Sequence, residues 1–166
     1  ATDPEGQTVS FSLSGTGSEN FSVDSSGNIS LVNSLDYETA TSYTLALNAS
    51  DGVNTTTSEL IITVDDVNEA PSLSNSLAAS SFAENISTGI TIATASASDP
   101  ESQTITYSLS GTGSDKFAVD SGGNITLSSA LDYETTTSYS LTLTASDGVN
   151  STSNTINVSV DDVIEL

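Results

Sequence analysis

The chain has 166 residues with 22 Asp or Glu, one Lys or Arg and no His, a formal net charge of −21. A surface of that sign repels phosphate backbones and anionic lipid headgroups, which excludes nucleic acid as a partner, and it favours cations. No run of 18 apolar residues is present, so membrane insertion is not expected. The absence of Cys, Met, Trp and His also excludes disulfides, zinc-finger sites, thiol catalysis and imidazole acid–base chemistry.

Ala1 to Ser10 carries neither a basic n-region nor an apolar h-region, so no signal peptide is expected there and the chain reads as a mature fragment or an excerpt. From Asp3 onward the sequence repeats at an offset of 96 residues without a gap. Asp3-Pro4-Glu5 returns as Asp99-Pro100-Glu101, Leu35-Asp36-Tyr37-Glu38 as Leu131-Asp132-Tyr133-Glu134, and Ala49-Ser50-Asp51-Gly52 as Ala145-Ser146-Asp147-Gly148. Between Asp3–Asp66 and Asp99–Asp162, 40 of 64 positions are identical, which marks an array of like modules.

The elements are clearest in the second copy. Phe82 and then Ile90-Thr91-Ile92, parted by Gly89, predict two strands. Ile105, Tyr107 and Leu109 alternate with Thr106 and Ser108. Phe117-Ala118-Val119 and Ile125-Thr126-Leu127 flank Asp120-Ser121-Gly122-Gly123-Asn124, a hairpin turn. Tyr139, Leu141, Leu143 and Ala145 alternate with Ser and Thr, as do Ile156, Val158 and Val160. About seven short strands with frequent turns and no helical stripe predict an all-β chain of tandem β-sandwiches. Ala70-Pro71 marks the break, because proline cannot continue a ladder. Repeat 1 is therefore expected over 1–69 and repeat 2 over 70–166. Ala1 aligns with Ala97, so the counterparts of two strands, those at Phe82 and Ile90–Ile92, fall outside repeat 1. A slice of a longer array is the expected reason. The alternative is a strand-exchanged filament subunit, since bare sheet edges invite pairing.

The acidic residues fall where strands end. Asp36 and Glu38, then Asp66 and Glu69, then Asp99, Glu101 and Asp147 form three sets that a head-to-tail array would bring to one junction. Calcium takes six to eight oxygen ligands, more than one loop supplies. Like charges about 4 Å apart cost about 4 kcal/mol at an effective dielectric near 20, so such a junction is expected to be splayed without a cation and rigid with one.

The connector Asp66-Val67-Asn68-Glu69-Ala70-Pro71 resembles the cadherin linker D-x-N-D-N-A-P, shortened by one residue. The two Leu-Asp-Tyr-Glu segments resemble the cadherin L-D-R-E motif, Phe82-Ala83-Glu84-Asn85 the x-E-N motif, Ala97-Ser98-Asp99-Pro100-Glu101 the D-x-D motif, and Ala145-Ser146-Asp147-Gly148 the A-x-D-G motif. Five motifs in order cover nearly the whole chain. Its Ser/Thr-rich, cysteine-free, lysine-poor style resembles microbial (bacterial) cadherin-like repeats rather than animal ones. The resemblance implies seven-strand Greek-key, immunoglobulin-like sandwiches that bind Ca2+ between repeats. It assigns Asp36, Glu38, Asp66, Asn68 (through its carbonyl), Glu69, Asp99, Glu101 and Asp147 to the inter-repeat site. Glu84, Asp132, Glu134, Asp162 and Glu165 would form half of the following site, and Asp3, Glu5 and Asp51 half of a preceding one. The first-strand Glu of repeat 1 falls outside the chain, and the linker lacks the Asn before Ala-Pro, so fewer ions are expected at the central junction.

The function implied is a calcium-rigidified, extracellular, cell-surface repeat of a large adhesin or fibre. Its partners would be neighbouring repeats and like modules on another chain. The alternative from another class is a carbohydrate-binding module that stacks polysaccharide on Tyr37 and Tyr133, although both tyrosines are better placed to pack over the end of a sandwich. An enzyme is not expected: Asp36/Glu38 and Asp132/Glu134 sit side by side rather than across a cleft.

Overall fold

The computed structural model describes residues 1–164, so Glu165 lies outside the described residues. The chain divides into two compact units, Ala1–Val67 and a second that begins at Asn68.

Unit 1 contains β1 (Ser10–Ser14), β2 (Phe21–Val23), β3 (Ile29–Leu31), β4 (Ser42–Ser50) and β5 (Thr55–Thr63). Its sheets run β1-β4-β5 and β2-β3. Unit 2 contains β6 (Ser72–Leu77), β7 (Ser81–Ala83), β8 (Thr91–Ser98), β9 (Thr106–Ser110), β10 (Phe117–Val119), β11 (Asn124–Leu127), β12 (Ser138–Ser146) and β13 (Ser151–Asp161). Its two four-stranded sheets run β10-β11-β8-β6 and β7-β13-β12-β9. All pairings are antiparallel except β7 with β13. A single 3₁₀ turn precedes β2 (Ser18–Asn20) and another precedes β10 (Ser114–Lys116). The fold is all-β, as the alternation predicts, and the two packed sheets of unit 2 make the immunoglobulin-like sandwich that the resemblance implies.

Period-two patterning explains why these segments are strands. Along β12, Tyr139, Leu141, Leu143 and Ala145 are buried while Ser138 and Ser140 are exposed. Ile156, Val158 and Val160 do the same in β13. These faces close on Phe82 of β7 and on Ile92 and Ala93 of β8 to make one core. Phe117 and Tyr139 meet edge to face at 5.3 Å within it. The β10–β11 hairpin is pinned by Asp120, whose Oδ1 accepts the amides of Gly122 and Asn124 at 2.9 Å each.

Two expectations need correction. Unit 2 has eight strands among the described residues, because Ser72–Leu77 is a strand that the alternation did not reveal. Only Leu73 and Leu77 mark it, and it pairs with β8 through backbone bonds. Unit 1 therefore holds counterparts of β9 to β13 and, among the described residues, none of three strands rather than two. The consequence is visible at one edge. β13 runs to Asp161, with Ser159, Val160 and Asp161 in parallel register with Ser81, Phe82 and Ala83. Its counterpart β5 stops at Thr63, two residues before Asp65, the equivalent of Asp161. On that edge β5 has no strand neighbour among the described residues, although on the other side the Val64 amide donates to Thr41 O at 3.0 Å.

Candidate metal centres

At the end of unit 2 where the chain enters, three segments, 68–69, 99–103 and 147–150, are hydrogen-bonded around a set of carboxylates. The Asp99–Ser102 turn closes with the Ser102 amide on Asp99 O at 3.1 Å, and Ser102 takes φ 60° where the equivalent Gly6 has φ 80°. Asp99 Oδ1 accepts the Gln103 amide at 2.9 Å. Glu101 Oε1 accepts the Glu69 amide at 3.2 Å. Asp147, just beyond β12, receives the amides of Val149 and Asn150 on Oδ1 at 2.6 Å each, and the Asn68 side-chain amide on Oδ2 at 2.9 Å. Asn68 is the hub: its backbone carbonyl accepts the Asn150 side chain at 2.7 Å, and its Oδ1 accepts Gln103 Nε2. Asp99 Oδ2 and Glu101 Oε2 are buried with no hydrogen-bond partner.

A buried carboxylate oxygen left unpartnered is costly. The single basic side chain, Lys116, is spent elsewhere, donating to Ala130 O at 2.8 Å. The donors are all oxygens and the charge is strongly negative, so the set fits a hard cation such as Ca2+. Hydrogen bonding also favours the ionised forms. A bond shared with the Glu69 side chain, and next the Glu69 amide, hold Glu101 below its ordinary value against the opposing cost of burial. The Asn68 side chain does the same for Asp147.

The other end of unit 2 carries a second cluster. Glu84 follows β7 and is 5% exposed. Its Oε2 accepts the Tyr133 amide at 2.7 Å and its Oε1 the Val163 amide at 2.8 Å. Carboxylate oxygens of Glu84, Asp132 and Glu134 lie within 4.8 Å of one another. Thr135 fixes Asp132 through its amide at 2.9 Å and its hydroxyl at 2.7 Å, and that hydroxyl bond is the main reason the Asp132 carboxyl lies below its ordinary range. Asp162 is exposed and does not join this group among the described residues.

Unit 1 repeats the local turns. Asp36 accepts the Thr39 amide and hydroxyl, Asp51 the amides of Val53 and Asn54, and Asp3 the Gln7 amide. Glu5, Glu38 and Asp66 are exposed. The sequence reading missed Gln103 and Asn150, which brace the entry cluster of unit 2. Their signal was available: Gln7 and Asn54 stand at the same places in repeat 1. Tyr133 packs partly buried on the core of unit 2 rather than standing free as a stacking platform.

The Cadherin domain family model matches residues 1–65 and 79–161. Cadherin-related family member 1 of Mus musculus is 34% identical over 98% of this chain, and Protocadherin Fat 1 of Homo sapiens 36% identical over 92%. The chain spans about a fifth of the former (21%) and 4% of the latter. Among solved structures, human Protocadherin-24 EC1-2 aligns over 98% of this chain and 85% of its own with a TM-score of 0.59 at 24% identity. Drosophila N-cadherin EC1-4 aligns over 94% of this chain and 42% of its own with a TM-score of 0.56 at 28% identity.

Proposed function

From a chain that belongs to the cadherin family, the extracellular β-sandwich repeats of adhesion proteins, we propose a calcium-stiffened stretch of a large surface adhesin or fibre. The observation that carries this reading is the pair of buried, unpartnered oxygens, Asp99 Oδ2 and Glu101 Oε2. A divalent cation is the kind of partner that buried carboxylate oxygens of this sort take, and the one basic side chain, Lys116, donates to Ala130 O instead. Asn68, Glu69, Asp99, Glu101 and Asp147 supply the unit 2 side of the site. By the resemblance to the cadherin junction motifs, Asp36, Glu38 and Asp66 are the residues that unit 1 would contribute. By the same motifs, Glu84, Asp132, Glu134 and Asp162, with Glu165 outside the described residues, would serve half of a following site, and Asp3, Glu5 and Asp51 half of a preceding one. The repeats function as the modules 1–69 and 70–166, and their partners are neighbouring repeats and like modules on other chains.

Titration calorimetry with Ca2+, run beside small-angle scattering in calcium and in chelator, tests this. The expected result is saturable binding with Kd of about 10⁻⁴ to 10⁻³ M and a stiffer, more extended particle in calcium. Asp99→Ala combined with Glu38→Ala removes both effects. Asp99→Asn gives a sharper sign test: it raises stability in chelator by relieving like-charge repulsion and lowers it in calcium by removing a ligand. No saturable heat with unchanged scattering would reduce the carboxylates to a solvated face.

A further inference from the structure

The chain has two Gln, and both stand four residues after the Asp of an Asp-Pro-Glu turn, at Gln7 and Gln103. Each donates its backbone amide to that Asp, to Asp3 Oδ1 and to Asp99 Oδ1, at 2.9 Å in both cases. In unit 2 the side chain of Gln103 reaches further. Its Nε2 donates to Asn68 Oδ1, and Asn68 Nδ2 donates onward to Asp147 Oδ2 at 2.9 Å and to Glu69 O at 3.1 Å. Asn150 fixes the same residue by its main chain, donating Nδ2 to Asn68 O at 2.7 Å. All three carboxamide residues are half-buried.

The direction of this chain of bonds is forced. An ionised carboxylate and a backbone carbonyl can only accept. Asp147 Oδ2 and Glu69 O therefore require the NH2 end of Asn68. That leaves Oδ1 for Gln103, which must in turn present its own NH2. Bonds linked through one amide polarise each other. The other Asp147 oxygen, Oδ1, is held by the amides of Val149 and Asn150 at 2.6 Å each.

Resting on the reading that this cluster takes Ca2+, we infer that Gln103 and Asn150 are positioning residues of the site. They lock Asn68, and through it Asp147, before the cation arrives. Gln103 also holds Asp99 by its main-chain amide, so one neutral residue ties two carboxylates into a single frame. A half-site already ordered spares the cation the cost of ordering it. Groups that orient metal ligands in this way typically change affinity about 10–100-fold when removed.

The test is NMR of the 15N-labelled full chain, held in chelator and then titrated with Ca2+. In chelator the Asn68 Nδ2 protons are expected to exchange slowly with solvent. Gln103→Ala and Gln103→Glu lose that protection, while the backbone shifts of β12 and β13 stay as in the unaltered chain. In the titration Gln103→Ala binds Ca2+ about 10–100-fold more weakly. Gln103→Glu is the sign test, because it keeps the shape and adds a negative charge yet cannot donate to Asn68 Oδ1. It also binds more weakly if Gln103 positions Asn68. Tighter binding by Gln103→Glu overturns the proposal in favour of direct ligation by residue 103. Unchanged affinity in Gln103→Ala, or Asn68 protection left intact, overturns it and leaves calcium binding itself standing. No saturable binding by the unaltered chain removes both.

Discussion

Leu31 and Leu127 are the same residue in the same motif, yet one is 55% exposed and the other 1%. The two units share their hairpin turns, their Asx-type caps and their edge-to-face aromatic pair, Phe21–Tyr43 and Phe117–Tyr139. They differ in whether β6, β7 and β8 have counterparts. Alternation makes a strand and chooses its apolar face; only the opposite layer turns that face into a core.

The sharpest way to break the comparison is to truncate that pair. Leu127→Ala should cost about 2–5 kcal/mol in denaturant unfolding of unit 2, through lost burial and a residual cavity. Leu31→Ala should stay within about 0.5 kcal/mol, as exposed sites do. Equal costs at the two sites would mean that unit 1 is covered in solution.

Glu84 has no equivalent within unit 1. Glu84→Ala leaves the Tyr133 and Val163 amides without their acceptor and should cost about 1–3 kcal/mol. Thermal unfolding in chelator isolates this structural share from any effect of calcium.

The glycines sharpen the contrast further. A Cβ on Gly123 (φ +82°) would lie 2.5 Å from Ala95 O of β8, whereas one on Gly27 (φ +85°) meets nothing closer than the Phe11 ring at 3.3 Å. Both alanine variants pay left-handed strain of about 1–2 kcal/mol. Gly123→Ala should cost more, by the backbone shift that β8 imposes, and chemical denaturation of the two variants checks the order.

The smallest effect is on pH. Hydrogen bonds hold Asp51 and Asp147 below the usual 3.8, chiefly the Asn54 amide for Asp51 and the Asn68 side chain for Asp147. A carboxyl lowered in the folded state stabilises fully above its unfolded value. That contribution fades as pH falls from about 3.8 through the folded value. Asn68→Ala should therefore move the Asp147 titration, followed by carboxyl NMR shifts, up towards 3.8 and leave Asp51 where it was.

Most of the fold was legible because Ser and Thr alternate cleanly with Val, Ile, Leu and Tyr, and because each pattern occurs twice. β6 was not legible, since Ser-Leu-Ser-Asn-Ser-Leu offers two apolar side chains and its strand character comes from pairing with β8. The site carboxylates stood out by recurrence at turns. Their grouping did not follow from spacing, because Glu84 meets Tyr133 and Val163 across 49 and 79 residues. Only the resemblance of motifs anticipated it. Gln103 and Asn150 were overlooked because neutral amides do not stand out in a chain rich in polar residues, although they brace the acidic cluster.

The parallel pairing of β7 with β13 has a mechanical consequence. β7 lies near the start of unit 2 and β13 at its end, and three rungs join them. Tension applied to the two ends of that unit drives the paired strands past each other along their own axes. The rungs then share the load in shear instead of parting one after another like a zipper. Unit 2 should resist stretching as a clasp that yields all at once, at a force set by Ser81–Ala83 against Ser159–Asp161.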